Sequence, residues 1–415
     1  MIPKQTASRV PIPRTPGDGL EGADALSESA CDEDQKRSES AGVTQPLVSI
    51  LIPAHNAEDW IADTLQSALA QTWPRKEIIV VDDGSTDGTL AVARRFESEM
   101  VRVVAQPNQG AAATRNKAFS LCRGDYIQWL DADDLLAPDK IECQVAAIGH
   151  ERRKLLSCGF GRFMYRYDRA VFVPTALWSD LSAVEWLLRK LGRNLFMQTG
   201  TWLMSRELAE AAGPWDTSLL ADDDGEYFCR VLLASSGVRF VSKAKMYYRT
   251  PWYSSLGYIG RSPEKIRAHW RSIKLHIGYL RGLEDTPRVH TACIRYLQTC
   301  LIYFYPEYHE IVREAEQLAE ELGGRLGAPS LSWKYVCVRA VFGWTLAKHA
   351  QRLLPRIRWT FARQWDRVML RIENRNVGLQ RKRVAASARE TSLAVVVRSE
   401  NLKPRPIDEV TPPKQ

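Results

Sequence analysis

Between Val48 and Leu130 the chain alternates short runs that are apolar almost throughout with longer stretches in which apolar residues return at helical spacing. Val48-Ser49-Ile50-Leu51-Ile52, Ile78-Ile79-Val80-Val81, Val101-Arg102-Val103-Val104 and Tyr126-Ile127-Gln128-Trp129-Leu130 are short and rich in β-branched and aromatic residues, which predicts strands. Between the first two, Trp60, Ile61, Leu65, Ala68 and Leu69 share one helical face. Further helices are predicted from Leu90 to Phe96 and from about Ala111 to Leu121. Strand and helix in such quick alternation imply parallel βαβ units, so the expected class is α/β with a mainly parallel central sheet.

The pattern weakens after Leu155. Strands are expected at Phe160 to Tyr167 and Ala170 to Val173, and helices at Ser182 to Leu191 and Glu226 to Leu233, the last capped by Asp222. Ser262-Pro263-Glu264 has the form of a helix start. Helical segments follow to about Asn374, broken at Pro306, at Gly323-Gly324 to Pro329 and at Pro355. Residues 1–45 and 375–415 are polar and Pro-containing, with too little apolar surface to offset chain entropy, and are expected to be disordered. The expected domains are thus an α/β domain at 46–258 and a helical region at 259–374.

Composition changes this picture little: 45% of the 415 residues are hydrophobic and 26% charged, ordinary globular values. The formal net charge of +8 suits an anionic partner without choosing among nucleotide sugar, lipid headgroup and nucleic acid. The eight cysteines are dispersed with no C-x-x-C pair, which argues against a zinc site or a disulfide framework and fits a reducing compartment. The sequence has neither a signal-peptide pattern at Met1 nor an apolar run of the ~20 residues a spanning helix needs. A cytoplasmic protein is expected. Trp333 to Leu354 and Ile357 to Ile372 mix Trp, Phe, Val and Leu with Lys and Arg, and two readings stand for them. One is peripheral contact with the inner face of the plasma membrane, the other an ordinary packed subdomain with a solvated basic face.

The candidate chemistry begins where the fourth strand ends, in Asp131-Ala132-Asp133-Asp134. Carboxylates crowded at a strand end repel unless something positive lies between them. Mg²⁺ or Mn²⁺ holding a diphosphate is one solution, because such ions accept one or two carboxylates and complete their shell with phosphate and water. A solvated acidic turn is the other reading. Neither G-x-G-x-x-G nor G-x-x-x-x-G-K-[ST] occurs, so this is not an evident dinucleotide fold or P-loop. Asp82-Asp83-Gly84-Ser85-Thr86-Asp87-Gly88-Thr89 is a polar turn after the second strand that fits either turn formation or ligand contact.

Several ordered blocks together resemble the nucleotide-binding half of the family 2 glycosyltransferases, which have the GT-A fold. They are Val48 to Asn56, Glu77 to Asp87, Asn108-Gln109-Gly110, Arg115-Asn116, Gly124 to Ile127 and Leu130 to Asp134. The resemblance implies that Pro53, His55 and Asp83 hold the nucleotide base, with Asn56 and Arg115 among the nucleotide-sugar-binding residues. It further implies that Asp131 faces the ribose and that Asp133 carries the Mn²⁺ or Mg²⁺ on the diphosphate. Most relatives carry an aromatic residue where this chain has His55, so a structural histidine is an equal reading there.

The order Thr201 to Glu207, Gly213-Pro214-Trp215-Asp216, then Asp222-Asp223-Asp224 ahead of Arg230, ending in Tyr247-Tyr248-Arg249, also resembles the acceptor half of that family. This implies Asp224 as catalytic base, with Asp223 as its acidic neighbour. Transfer with inversion needs a base near the acceptor hydroxyl and an electrophile on the leaving diphosphate, on opposite sides of the sugar. The function implied is inverting transfer of a sugar from a nucleotide-diphosphate donor to a hydroxyl on a glycan or lipid-linked acceptor. No nucleic-acid partner is expected. The rivals are a catalytically silent, saccharide-binding or scaffold protein with the same fold, and an aspartyl phosphatase, which would place its D-x-D on the first strand. Trp202, Trp215 and Trp252 are candidates either for stacking on sugar or for the core. Tyr253-Ser254-Ser255 and Arg261 are candidates for a segment closing over the diphosphate.

Overall fold

The computed structural model describes residues 45–149, 151–250 and 262–329, and beyond them 335, 338–344, 346–348, 350–351 and 360–373. The expected leader and tail, Trp252, the segment Tyr253 to Ser255, Arg261, Trp333 and Pro355 lie outside these residues.

The first four predicted strands form: β1 (Val48–Ala54), β2 (Lys76–Asp83), β3 (Val101–Gln106) and β4 (Tyr126–Trp129). Helices α1 (Ile61–Leu69), α2 (Thr89–Arg94) and α3 (Ala111–Leu121) connect them. β1 to β4 are mutually parallel, and the sheet runs β3-β2-β1-β4, closed on its far edge by the antiparallel β8 (Met204–Ser205). β1 and β4 are buried along nearly their whole length, which is why they read as continuous apolar runs rather than alternating ones. Strand order grows outward from β1 to β3 and then jumps to β4 on the other side of β1. That reversal is the switch point at which open α/β sheets place ligands, at the carboxyl ends of the strands.

The second sheet, β5-β9-β6-β7, is mixed. It comprises β5 (Leu135–Leu136), β6 (Leu155–Phe163), β7 (Val171–Phe172) and the long β9 (Val238–Arg249). β6 runs parallel to β9 with a register shift at Cys158/Gly159. The expected strand at Phe160 to Tyr167 is therefore the end of an element that starts earlier and stops at Phe163. Around the sheets lie α4 (Lys140–Ala146), α5 (Ala183–Arg193), α6 (Arg206–Ala212) and α7 (Asp223–Ala234). The helical region packs directly on them: α8 (Pro263–Leu283) lies against α7, and α9 (Pro287–Cys300) against α5. α8 starts as predicted, with the Ser262 hydroxyl accepting from the Lys265 amide and Pro263 in the first turn. The chain breaks at Pro306 and, after α10 (His309–Glu321), at Gly323.

Trp202 and Trp215 are 1% and 2% exposed, so both belong to the core and not to a sugar-stacking surface. Trp202 stacks on Phe228, and Trp215 lies parallel to Tyr227 with ring centroids 4.0 Å apart. Cys122, Cys143, Cys158, Cys229, Cys293 and Cys300 are free thiols. Among the described residues no helix is long and apolar enough to cross a membrane.

Candidate active site

The loops after β1, β2 and β4 meet at the switch point. Asn56, at a left-handed φ of 49°, stitches the first loop to the second: its amide donates to Ser85 Oγ at 3.0 Å, and its Oδ1 accepts from the Thr86 amide at 2.9 Å. Asn56 thus shapes the loop pair. His55 Nδ1 lies 2.8 Å from the Asp83 carbonyl oxygen, and the Asn108 amide group lies 3.3 Å from the ring.

Asp83 uses its carboxylate to gather the loop that precedes α3. It accepts from the Gln109 amide at 2.9 Å, the Gly110 amide at 2.8 Å and Gln106 Nε2 at 2.8 Å. Gly110, at φ 89°, turns that loop into α3 through a conformation most side chains avoid. Asp82, 1% exposed, caps the Ser85 amide with Oδ2 while its buried Oδ1 has no partner among the described residues. Pro53 and His55 flank this floor at the end of β1.

α3 carries Arg115 into the middle of the cleft, where it joins the two halves of the chain. Its Nη2 donates to Asp131 Oδ1 at 3.0 Å and its Nη1 to Asp223 Oδ2 at 2.8 Å. The guanidinium lies over the Trp215 ring, 4.4 Å from its centroid. Asp131 and Asp223 are 92 positions apart in sequence, yet they share one cation (223 − 131 = 92). The two acidic sets singled out in the sequence therefore face a common cleft.

α7 begins at Asp223, so Asp223 and Asp224 both sit in its first turn. The expected capping role of Asp222 is not what forms. Asp222 adopts a left-handed φ of 59° and makes no side-chain cap. Its Oδ2 instead accepts from the Ser272 hydroxyl on α8 at 2.7 Å, next to His276, whose Nδ1 is 3.0 Å from the Tyr296 hydroxyl on α9. Burial and the like charges of Asp223 and Asp222 push the Asp224 carboxyl up to about 7, against the opposing pull of Arg115. A carboxyl near neutrality is suited to accept a proton during reaction.

Asp134 is fully buried, accepting from the Arg249 amide at 2.8 Å and from Gln198 Nε2 at 3.2 Å. Burial and its two acidic neighbours raise its carboxyl well above the ordinary range. Asp133 is raised to about 6, by burial first and then by Asp131, with Arg249 and Arg363 pulling the other way. Among the described residues its carboxylate enters no ion pair. No group of three or more His, Cys, Asp or Glu among the described residues is disposed to enclose a metal. The donor set fits an ion held by one or two carboxylates and completed by ligand oxygens and water, the usual habit of Mg²⁺ and related ions.

Sequence reasoning gave no site role to four residues of this cleft. Arg249 ends β9 and donates from Nε to the Asp133 carbonyl at 2.7 Å, its guanidinium 4.3 Å from the Trp60 ring centroid and 4.6 Å from that of Phe163. Gln198 links Asp131 and Asp134 through one amide nitrogen. Trp60 was visible only as a core position, and Arg363 only as one of many basic residues in the helical region. A lone arginine ending the aromatic run Tyr247-Tyr248 was the available signal for Arg249.

Residues 49–213 match the family model described as glycosyl transferase family 2. Over those residues, less than half of its length, the chain is similar to that family. An uncharacterized glycosyltransferase of Rickettsia typhi is 37% identical over 193 residues, 46% of this chain and 60% of the relative. The chondroitin synthase of Escherichia coli is 46% identical over 99 residues, 23% of this chain and 14% of the relative. A Bacillus subtilis protein named for teichuronic acid biosynthesis is 45% identical over 104 residues, 24% of this chain and 41% of the relative. The chain thus spans less than two thirds of the length of these curated relatives. Among solved structures, Staphylococcus aureus TarS 1-349 superposes with a TM-score of 0.51 at 17% identity, covering 66% of this chain and 80% of that one. This likeness, with the sheet order above, makes the fold GT-A.

Proposed function

We propose that this chain is a family 2 glycosyltransferase, an inverting enzyme that moves a sugar from a nucleotide-diphosphate donor to an acceptor hydroxyl. The observation that carries the reading is the Arg115 bridge, which sets Asp131 at the end of β4 and Asp223 at the start of α7 against one cleft. The fold-related S. aureus structure was also solved with UDP-GlcNAc, which supports a nucleotide sugar as donor class. Names such as chondroitin synthase support a glycan acceptor, lipid-linked or part of a cell-surface polysaccharide.

In this reading Pro53, His55 and Asn56 with Asp83 shape the pocket for the nucleotide base, and Asp131 and Arg115 receive the ribose and sugar side. Asp224 takes the proton from the acceptor hydroxyl as the new C–O bond forms on the face opposite the departing diphosphate. The opposed placement of base and leaving group is what inverts the anomeric centre. Asp223 holds Arg115 in place and keeps Asp224 basic through its negative charge. Arg249 and Arg363 add positive charge near Asp133. A Mn²⁺ or Mg²⁺ ion on Asp133 would neutralise charge on the leaving diphosphate. Cytoplasmic placement follows from a donor of this class.

The test is thermal unfolding against a panel of nucleoside diphosphates, with and without Mn²⁺. A ligand at about a hundred times its Kd stabilises a fold by ~2.7 kcal/mol, a readily measured shift. Wild type is expected to show a shift with at least one nucleotide that grows with Mn²⁺, and Asp133→Asn to lose the Mn²⁺-dependent part. An equal Mn²⁺ increment in the variant would remove Asp133 as the metal residue. No stabilisation by any nucleotide would remove the donor reading.

A further inference from the structure

Residues 360–373 form a helix with two unlike faces. Phe361, Trp365, Val368 and Ile372 are 73%, 67%, 45% and 44% exposed, and their spacing of four, three and four residues puts them on one stripe. The opposite face is tied to the catalytic domain. Asp366 Oδ1 pairs with Arg166 Nε at 2.6 Å, Asp366 Oδ2 accepts from the Tyr165 amide at 2.9 Å, and Glu373 Oε1 pairs with Arg166 Nη1 at 2.8 Å. Arg363 donates to the Tyr165 hydroxyl at 3.2 Å and lies over the Trp60 and Tyr165 rings at 5.9 and 5.3 Å. So anchored, the helix cannot roll to bury its stripe, and among the described residues nothing packs on Phe361 or Trp365.

Charge is sorted as well. Both acids of the helix are spent on Arg166, and Arg367 lies over the Tyr165 ring at 5.9 Å on the anchored side, whereas Arg371 is exposed beside the stripe. An apolar stripe with an arginine at its edge and no outward acid matches the boundary between acyl chains and anionic headgroups. Four side chains present about 400 Å² of apolar surface at most. A stable dimer usually needs roughly 1,200 Å² or more, so a second copy is poorly suited as the occupant.

We propose that this stripe is a membrane-docking surface for an anionic bilayer, with Phe361 and Trp365 inserted at headgroup level and Arg371 paired with a lipid phosphate. The same helix sets Arg363 close enough to Asp133 to act on its charge, so docking would place the acidic cleft on the inner side of the helix that meets the bilayer. A lipid-anchored acceptor would then be held near that cleft. This corollary rests on the proposed transfer activity, whereas the docking itself does not.

The experiment is co-sedimentation of the full chain with vesicles of phosphatidylcholine alone or mixed equally with phosphatidylglycerol. Binding is expected to the mixed vesicles and to weaken in high salt. F361S/W365S should lower the partition coefficient by at least ~10-fold through lost apolar burial. R371Q should lower binding to mixed vesicles by about fivefold and leave the weak binding to neutral vesicles unchanged. W365F should still bind but lose the Trp365 share of quenching by brominated lipid. Circular dichroism melts of all three should match wild type, since the stripe is exposed. The proposal is overturned if wild type stays in the supernatant with mixed vesicles, if F361S/W365S binds like wild type, or if W365F is quenched as strongly. It is equally overturned if F361S/W365S converts a dimer to a monomer in sedimentation velocity. No arm reads turnover, so failure here is separate from failure of the glycosyltransferase reading.

Discussion

Asp224→Asn is expected to stabilise the protein while abolishing transfer. The Asp224 carboxyl is raised from an ordinary 3.8 to about 7 because burial and two like charges disfavour its ionised form. A group raised in this way contributes stability that is fully present below pH ~4 and is lost as pH climbs through 7. Asparagine resembles the protonated form and escapes that loss. The gain should therefore be near zero at pH 4, grow between pH 4 and 7 and level off above. From 3.8 to about 7 is roughly three pH units at ~1.4 kcal/mol each, giving a ceiling of about 4 kcal/mol. Because Arg115 and Asp223 readjust when the charge is removed, about 1–3 kcal/mol is the working expectation at pH 8. Urea unfolding of both proteins at pH 5 and pH 8 measures the difference, and a nucleotide-release assay measures turnover. Loss of a general base should cost about 10²–10⁴ in kcat with nucleotide affinity retained. A variant less stable than wild type at pH 8 would show that the carboxylate is a net asset to the fold and refute the electrostatic argument. Wild-type turnover would remove Asp224 as the base.

Two further outcomes follow from the same cleft. Arg115→Met leaves Asp131 and Asp223 without their shared cation and should cost about 3–5 kcal/mol at pH 8 and less in acid, because burial raises the Asp223 carboxyl and eases its protonation; chemical denaturation at pH 8 and at acid pH checks this, and a pH-independent loss would count against it. Ser272→Ala frees the Asp222 carboxylate at the start of α7 and should lower kcat several-fold with donor KM unchanged, while a change in KM alone would assign Ser272 a different part.

The parallel half of the fold was legible because β1, β2 and β4 are buried on both faces and keep their apolar character without help from distant sequence. The second sheet was not. β6 passes through Gly159 and Gly161, where a Cβ on Gly161 would stand 2.4 Å from the Phe172 ring, so its glycines serve packing against residues well downstream. Its partner β9 lies some 80 residues further on, with a register shift between them, and no local pattern encodes that pairing. At the site, the acids at 131–134 and 222–224 stood out as clusters, but the use made of each did not. Asp222 looked like a helix cap because caps are local. Its real partner, Ser272, is fifty positions away on another helix. Arg249, quoted only as the end of a family-like block, and Gln198 were given no role for the same reason: each acts through main-chain or amide contacts that only the tertiary structure creates.

The family match stops at residue 213, and the Arg115 bridge lies across that line. A fragment cut there would lose Asp223 and leave Arg115 one carboxylate short. It would also strip Trp129 of the Trp215 and Tyr227 rings that meet it edge-on at 5.4 and 6.2 Å. Any expression boundary for this chain therefore has to be drawn beyond Ala234, where α7 is complete. Because Asp222 is held by α8, a boundary drawn there still severs the support of the acids it retains.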